Sequence, residues 1–391
     1  MSRQLIARSP DLQRLQNEGF DLEIRAGYLL IKDVPYVSST REVKHGILIS
    51  ALELNGDQTK RPDSHVAMWT GEHPCHHDGR VILAISNPST GRDLGEEIRA
   101  DFTFSAKANY RDYHHKMTTY IGRITGEAQA IDPNVSANTF PIIETKEGES
   151  VFRYLDTATS RVGIGALNER LSNEKIAIVG LGGTGSYVLD LVAKTCVKEI
   201  HLFDGDVFSQ HNAFRSPGAA SIEALQAKPL KVAYLAELYG KMRGGIQAHR
   251  VFADEETAAL REMSFVFLCL DRGSAKKLII NSLVDWGIPF VDVGMGILQA
   301  QDSLSGLIRV TCFVPGGDTR ALGRIDYSNG DMPENEYSTN IQIVELNALN
   351  AALAVVQWKK HCQIYRDSSR SNSYSYSIAA NEMAHDDEEN V

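Results

Sequence analysis

The sequence predicts an α/β chain: a Rossmann-like, doubly wound, mostly parallel sheet preceded by a smaller β-rich or α+β domain. Three observations carry this. From about residue 149 to 366, short apolar runs alternate with helical stretches. One run, Ile176–Val179, passes directly into glycines at 180, 182, 183 and 185, the signature of a strand turning into a helix. Before residue 148, strand-like runs are separated by turn signals without that alternation.

Taken in order, Asp11–Glu18 reads as a helical lead-in. Strands follow at Tyr28–Ile31, Ile47–Leu52, His65–Trp69, Val81–Ile85 and Phe102–Phe104, and Asn55-Gly56-Asp57 and Asp78-Gly79 supply turns. In the second domain, 149–366, Ile176–Val179, Ile200–Phe203, Phe265–Leu270 and Phe290–Val293 read as buried strands. Leu189–Lys194, Leu230–Tyr239 and Lys276–Trp286 read as the helices between and after them. Leu304–Val314 continues as strand, and Ile341–His361 forms a long closing helix. Residues 367–391, rich in Ser, Tyr and Asn and ending Asp386-Asp387-Glu388-Glu389, are expected to be a mobile acidic tail.

Composition narrows the function. The chain has 391 residues, 43% of them hydrophobic, enough for two or three cores. A net charge of −10 argues against duplex nucleic acid as main partner, because no basic excess exists to neutralise phosphates. No apolar run approaches the ~20 residues of a membrane helix. Met1–Ile6 lacks a signal-peptide core, and five scattered cysteines suit a reducing compartment, so a cytoplasmic location is expected.

The chemistry concentrates between residues 175 and 275. Gly180, Gly182, Gly183 and Gly185 let a phosphate approach bare backbone at a helix N-terminus, where the dipole favours negative charge. About twenty residues on, Asp204 ends the second strand, placed for a ribose hydroxyl pair. The glycine pattern alone also fits a dinucleotide oxidoreductase. The cations that follow suit a triphosphate better: Arg215 after Asn212, then Lys231 opening a helix. Asp271, at the end of a third strand, is a hard oxygen ligand for Mg²⁺. Each residue also has a plain structural reading: Arg215 and Lys231 as surface charges, Asp271 as a helix cap.

Together, Gly180-Leu181-Gly182-Gly183-Thr184-Gly185, Asp204-x-Asp206, Asn212-x-x-Arg215, Lys231 and Asp271 resemble the adenylation domain of the ubiquitin-activating enzyme superfamily, in its bacterial ThiF/MoeB/HesA form, with an extra N-terminal domain. The resemblance covers roughly residues 150–365. It implies ATP and Mg²⁺ as cofactors and adenylation of the C-terminal carboxylate of a small ubiquitin-like or sulfur-carrier protein. It also implies a homodimer and later transfer to a partner, a conjugating-type enzyme among the candidates. By the same resemblance Gly183 and its turn hold phosphate, Asp204 holds ribose with Asp206 beside it, Asn212, Arg215 and Lys231 grip phosphates, and Asp271 binds Mg²⁺. Arg161 is the implied arginine reaching a partner subunit's site, with Arg170 as fallback. Relatives that activate some other carboxylate remain open, as do a nicotinamide oxidoreductase and a nucleotide-bound scaffold.

The sequence departs from the family in two ways. It has no Cys-x-x-Cys pairs, so no structural zinc is expected, and the loop at about 315–337 has no cysteine to accept the acyl group. Cys312, Cys196 and Cys269 lie in apolar patterns and read as buried. Gly71–Gly79 gathers three histidines, Cys75 and Asp78; it reads as a polar loop rather than a metal site, with Cys75 as the most exposed thiol. His114-His115 reads as surface.

Overall fold

A computed structural model describes residues 2–88, 90–146, 148–253, 257–300, 302–317, 319–327, 341–369 and 371–385. The chain forms two units, Met1–Ile143 with Ser160–Val162, and Glu144–Thr159 with Gly163–Val391.

The first unit begins with α1 (Ser2–Arg8) and α2 (Pro10–Asn17). An antiparallel sheet follows from β1 (Asp21–Arg25), β2 (Tyr28–Val37), β3 (Val43–Ala51), β6 (Val66–Thr70), β7 (Ser86–Asn87) and β10 (Phe102–Ser105), in the order β1-β2-β3-β6-β10-β7. Two small hairpins accompany it, β4 (Leu54–Asn55) with β5 (Gln58–Thr59) and β8 (Arg92–Gly95) with β9 (Ile98–Ala100), the second packing Ile98 and Ala100 against Leu30, Ile49 and Met68 of the sheet. One face is covered by α3 (Tyr113–Ile131), whose N-cap Asp112 accepts the His115 backbone N–H at 2.7 Å. Tyr113, Met117, Tyr120, Ile121 and Ile124 recur at helical spacing on α3 and are buried with Trp69 and Phe104.

Three expectations fail in this unit. Val81–Ile85 is not a strand: Val81 makes one bridge to Cys75, and Leu83–Ile85 form a turn that buries Ile82 and Ile85. Burial at i and i+3 is a turn's period, not a strand's. Cys75 is 1% exposed, because it bridges both Val37 and Val81 and is folded into the sheet's end; burial raises its thiol pKa. His114 is buried on α3, its Nε2 2.8 Å from Glu18 Oε2.

Of α4 (Thr157–Arg161), Thr157–Thr159 belong to the second unit and the rest to the first; in the second unit α5 (Gly165–Asn168) then precedes β11 (Lys175–Val179). Then come α6 (Gly183–Ala193), β12 (Glu199–Phe203), α7 (Gln210–Ala213), α8 (Ile222–Gln226), α9 (Lys231–Gly240) and β13 (Ile246–His249). β14 (Phe265–Leu268), α10 (Gly273–Trp286), β15 (Phe290–Ala300), β16 (Ser303–Phe313), α11 (Val344–His361), β17 (Ser373–Ser377) and β18 (Glu382–His385) complete it. The sheet order is β13-β12-β11-β14-β15-β16-β17-β18. β13 through β15 pair in parallel, and β16, β17 and β18 are antiparallel additions. The predicted doubly wound, mostly parallel sheet is present. Its central strands β11 and β14 are buried apolar runs because α6, α9 and α11 cover one face and α10 the other.

The acidic tail is corrected in part: Ser373–Ser377 pairs with β16, burying Tyr374, so alternating Ser and Tyr form strand rather than a mobile segment. Residues 386–391 lie outside the described residues, as does 328–337 of the cysteine-free loop. Cys312 is buried within β16, its thiol pushed up to about 12 by burial. Cys196 and Cys269 fall just past α6 and β14 rather than inside them, and burial raises both thiols. Among the described residues no helix is long and apolar enough to cross a membrane.

Candidate nucleotide-binding site

β11 runs to β12 on one side, and β14 lies on its other side, so the chain reverses direction across the sheet between β11 and β14. A crevice at the carboxyl ends of parallel strands opens at such a reversal. Gly180 sits there with φ +86°, a conformation costly for any residue with a Cβ; a Cβ would also come within 2.7 Å of the Cys269 carbonyl. A Cβ on Gly185 would collide with the Gly180 carbonyl oxygen, whereas one on Gly182 would meet open space. Gly182 is the N-cap of α6 and has no side chain to cap it. No N-cap side chain therefore satisfies the first α6 amides.

Asp204 holds this turn in place. Its Oδ2 accepts the Leu181 N–H at 2.7 Å, and its Oδ1 accepts the Asp206 N–H at 2.8 Å. Asp204 is 5% exposed, and both oxygens are committed to the chain itself. Lys231, at the start of α9 and 7% exposed, lies 3.4 Å from Asp204 and 2.7 Å from Asp206. Asp206 is the open member, its side chain 58% exposed. Asn212 is buried, and its Oδ1 accepts the Ser209 N–H at 2.9 Å, so its side chain closes the capping box of α7. Arg215 follows this helix with a buried Nε that has no hydrogen-bond partner among the described residues.

Asp271 is exposed beyond β14. It is not the cap of α10: that position belongs to Arg272, whose guanidinium carbon sits 5.2 Å from the Phe252 ring centre. Arg161 lies in the first unit, 5.8 Å from the Phe140 ring centre. Arg170 donates to the Gln363 carbonyl at 2.8 Å.

Two groups of residues have no signal in the motifs. Asn347 on α11 accepts a hydrogen bond from Thr184 Oγ1 at 2.9 Å. Its buried Nδ2 lies against Gly183 with no partner among the described residues. Asn350, one turn on, donates to the Gly294 carbonyl at 3.1 Å. Behind them Lys276 is 2.8 Å from the buried carboxylate of Asp292, with Arg309 3.9 Å away. Burial raises the Asp292 pKa, opposed by these two cations. Among the described residues no cluster of three or more metal-ligating side chains occurs, the histidines at 73, 76 and 77 included.

Residues 157–311 match the model of the ThiF family, and residues 10–157 match a domain of unknown function, DUF6791. The chain carries a ThiF family domain. The ThiF match contains every motif residue from Gly180 to Asp271 but not α11. No curated protein matches. Among solved structures, E. coli MccB with ATP is 16% identical over 56% of this chain and 65% of that one, TM-score 0.45. MccB with N-formylated MccA is 16% identical over 59% and 69%, TM-score 0.46. PaaA is 17% identical over 59% and 80%, TM-score 0.41. The chain thus spans less than two thirds of the length of the first MccB structures.

Proposed function

We propose that the ThiF domain adenylates a carboxylate with ATP, releasing pyrophosphate, and that its substrate is the C-terminal carboxylate of a small ubiquitin-like or sulfur-carrier protein. The observation that supports this most is the Asp204–Leu181 bond, which fixes a side-chain-free helix terminus in the crevice between β11 and β14. Open space at Gly182 suits a phosphate, and Arg215 brings a cation whose Nε has yet to find an acceptor.

A free carboxylate is a poor acylating agent. Its oxygen attacks the α-phosphorus, the bond to the bridging oxygen breaks, and pyrophosphate leaves with that electron pair. Charge grows on the α-phosphate oxygens and on the leaving group, so prepositioned backbone N–H groups, Arg215 and Lys231 lower the barrier. Little proton transfer is needed, so the site needs no histidine base. Asp206, with an accessible carboxylate, fits the ribose hydroxyls better than Asp204, whose oxygens are occupied. Asp271 offers an exposed hard oxygen, which together with phosphate oxygens fits Mg²⁺. Bound there, Mg²⁺ would supply charge neutralisation for the triphosphate. A homodimer in which Arg161 enters the partner's site, and a cytoplasmic setting, complete the reading.

Mg²⁺-dependent ATP–pyrophosphate exchange is the test. Exchange in the wild type and its loss in Asp271→Ala are expected. Tight binding of a nicotinamide coenzyme with indifference to ATP would overturn the reading. Exchange supported by a free peptide but by no carrier protein would keep the chemistry and replace the substrate.

A further inference from the structure

The first unit holds a lysine that its ion pairs do not explain. Lys116 lies on α3, facing the sheet, and is 1% exposed. The ladder between β3 and β6 ends at Ile49 and Met68, and the lysine reaches the gap beyond. Its Nζ is 2.9 Å from Ser50 Oγ and 2.7 Å from the Val66 carbonyl. Ser50 Oγ itself donates to the Ala51 carbonyl at 3.0 Å, so toward Lys116 it accepts. A neutral amine has two N–H donors, and this site provides two acceptors. An ammonium would carry a third N–H.

Among the described residues no carboxylate pairs with Lys116. The two that line the same cavity, Glu53 and Asp63, are engaged by Lys60 at 3.8 and 2.9 Å. Burial pushes the Lys116 amine down to about 8. The lysine also borders a cavity of about 200 Å³ lined by Tyr28, Pro62 and Met68 together with Glu53, Asp63 and Arg92. The Tyr113 hydroxyl, also at this cavity, is occupied: it accepts the Glu53 N–H at 2.6 Å and donates to the Ala51 carbonyl at 3.0 Å. A desolvated amine with both donors satisfied has its lone pair left over, the arrangement of a nucleophile.

We propose that Lys116 captures a small aldehyde or ketone in this cavity, as a Schiff base. The Nζ lone pair attacks the carbonyl carbon, forming a C–N bond while the C=O π pair moves to oxygen. Both amine hydrogens then leave with that oxygen as water, and a C=N bond remains. No oxidant or reductant is consumed. The site is independent of the adenylation reading.

The test treats the full-length wild-type protein with butanal and cyanoborohydride, which reduces the imine in place, followed by peptide mass spectrometry. At pH 7 an amine titrating at about 8 is roughly one tenth unprotonated, against fewer than about one in a thousand for an ordinary surface lysine. Lys116 is therefore expected to be butylated about a hundredfold faster than exposed lysines, with its rate rising about tenfold per pH unit below 8. Met68→Trp, which fills the cavity, is expected to suppress labelling at Lys116 and spare the surface. Butylation spread over exposed lysines with no preference for Lys116 would overturn the proposal, and the wild-type map decides this alone.

Discussion

Asp204 and Lys231, twenty-seven positions apart, bring carboxylate and ammonium to 3.4 Å in near-complete burial, while the same carboxylate oxygen accepts the Leu181 N–H of the glycine turn. This relationship ties the end of β12, the start of α9 and the turn after β11 into one unit. A buried pair that loses one partner leaves an uncompensated charge, at a cost of about 3–5 kcal/mol. Lys231→Met leaves the Asp204 carboxylate its two backbone N–H donors, whereas Asp204→Asn sets an amide NH2 against one of them, so Asp204→Asn is expected to lower the melting temperature more. The double variant should lose less than the sum, with coupling above about 1 kcal/mol. Strict additivity would mean that the two side chains do not act together.

The glycines divide by what surrounds them. Gly185→Ala drives a Cβ into the Gly180 carbonyl oxygen, with the Cys269 Cβ also close and no flexible side-chain end to yield. Loss of stability by about 3 kcal/mol or more is expected, on the scale of severe overpacking. Gly182→Ala meets nothing within 4 Å, so folding should be spared. ATP affinity should fall instead, because the methyl group occupies the space offered to phosphate. Calorimetric titration with ATP and thermal unfolding separate the two outcomes; equal stability of both variants would contradict this geometry.

Arg215 gives a third contrast. Its Nε is buried without an acceptor among the described residues, so truncation breaks no hydrogen bond at that atom. Arg215→Ala should leave the melting temperature close to wild type. It should slow ATP–pyrophosphate exchange by about a hundredfold, the usual effect of removing one charge-stabilising donor. A variant that unfolds readily yet exchanges normally when folded would assign the arginine to structure instead.

The sequence made the second unit's framework legible for a physical reason. Strands buried on both faces must be apolar runs, and a strand-to-helix turn that approaches its neighbours' backbone must be glycine-rich. Ile176–Val179 and Gly180–Gly185 satisfy both conditions. Long-range packing was not legible. Asn347 meets Thr184 across 163 positions, and an asparagine inside a helix has no local mark that distinguishes it from a surface one. Asp204 is a ribose candidate because strand-end position is visible in sequence, whereas its bonds to the Leu181 and Asp206 amides are visible only in the fold. Val81–Ile85 misled because a short apolar run does not reveal whether its period is two or three. Cys75 misled because polar neighbours suggest exposure, while the sheet's end covers it.

The first unit carries a pH dependence centred on Glu127 of α3. Its Oε1 lies 2.7 Å from His76 Nδ1, and its Oε2 accepts the His77 backbone N–H at 2.9 Å with His77 Nδ1 at 2.8 Å. Burial pulls this carboxyl upward, but the three hydrogen bonds outweigh it and hold the pKa down at about 2. An unfolded glutamate titrates near 4.3. Because the folded value is the lower one, the stabilisation is fully present above the unfolded pKa and is lost as pH falls through about 2. Glu127→Gln keeps the side chain's size and removes the charge, so at pH 7 it should be less stable by about 2 kcal/mol, the worth of a charged hydrogen bond. That difference should narrow steadily between pH 5 and pH 2 in paired thermal unfolding scans. A gap that stays constant over this range would show that shape, rather than the ionised carboxylate, anchors the 71–79 loop to α3.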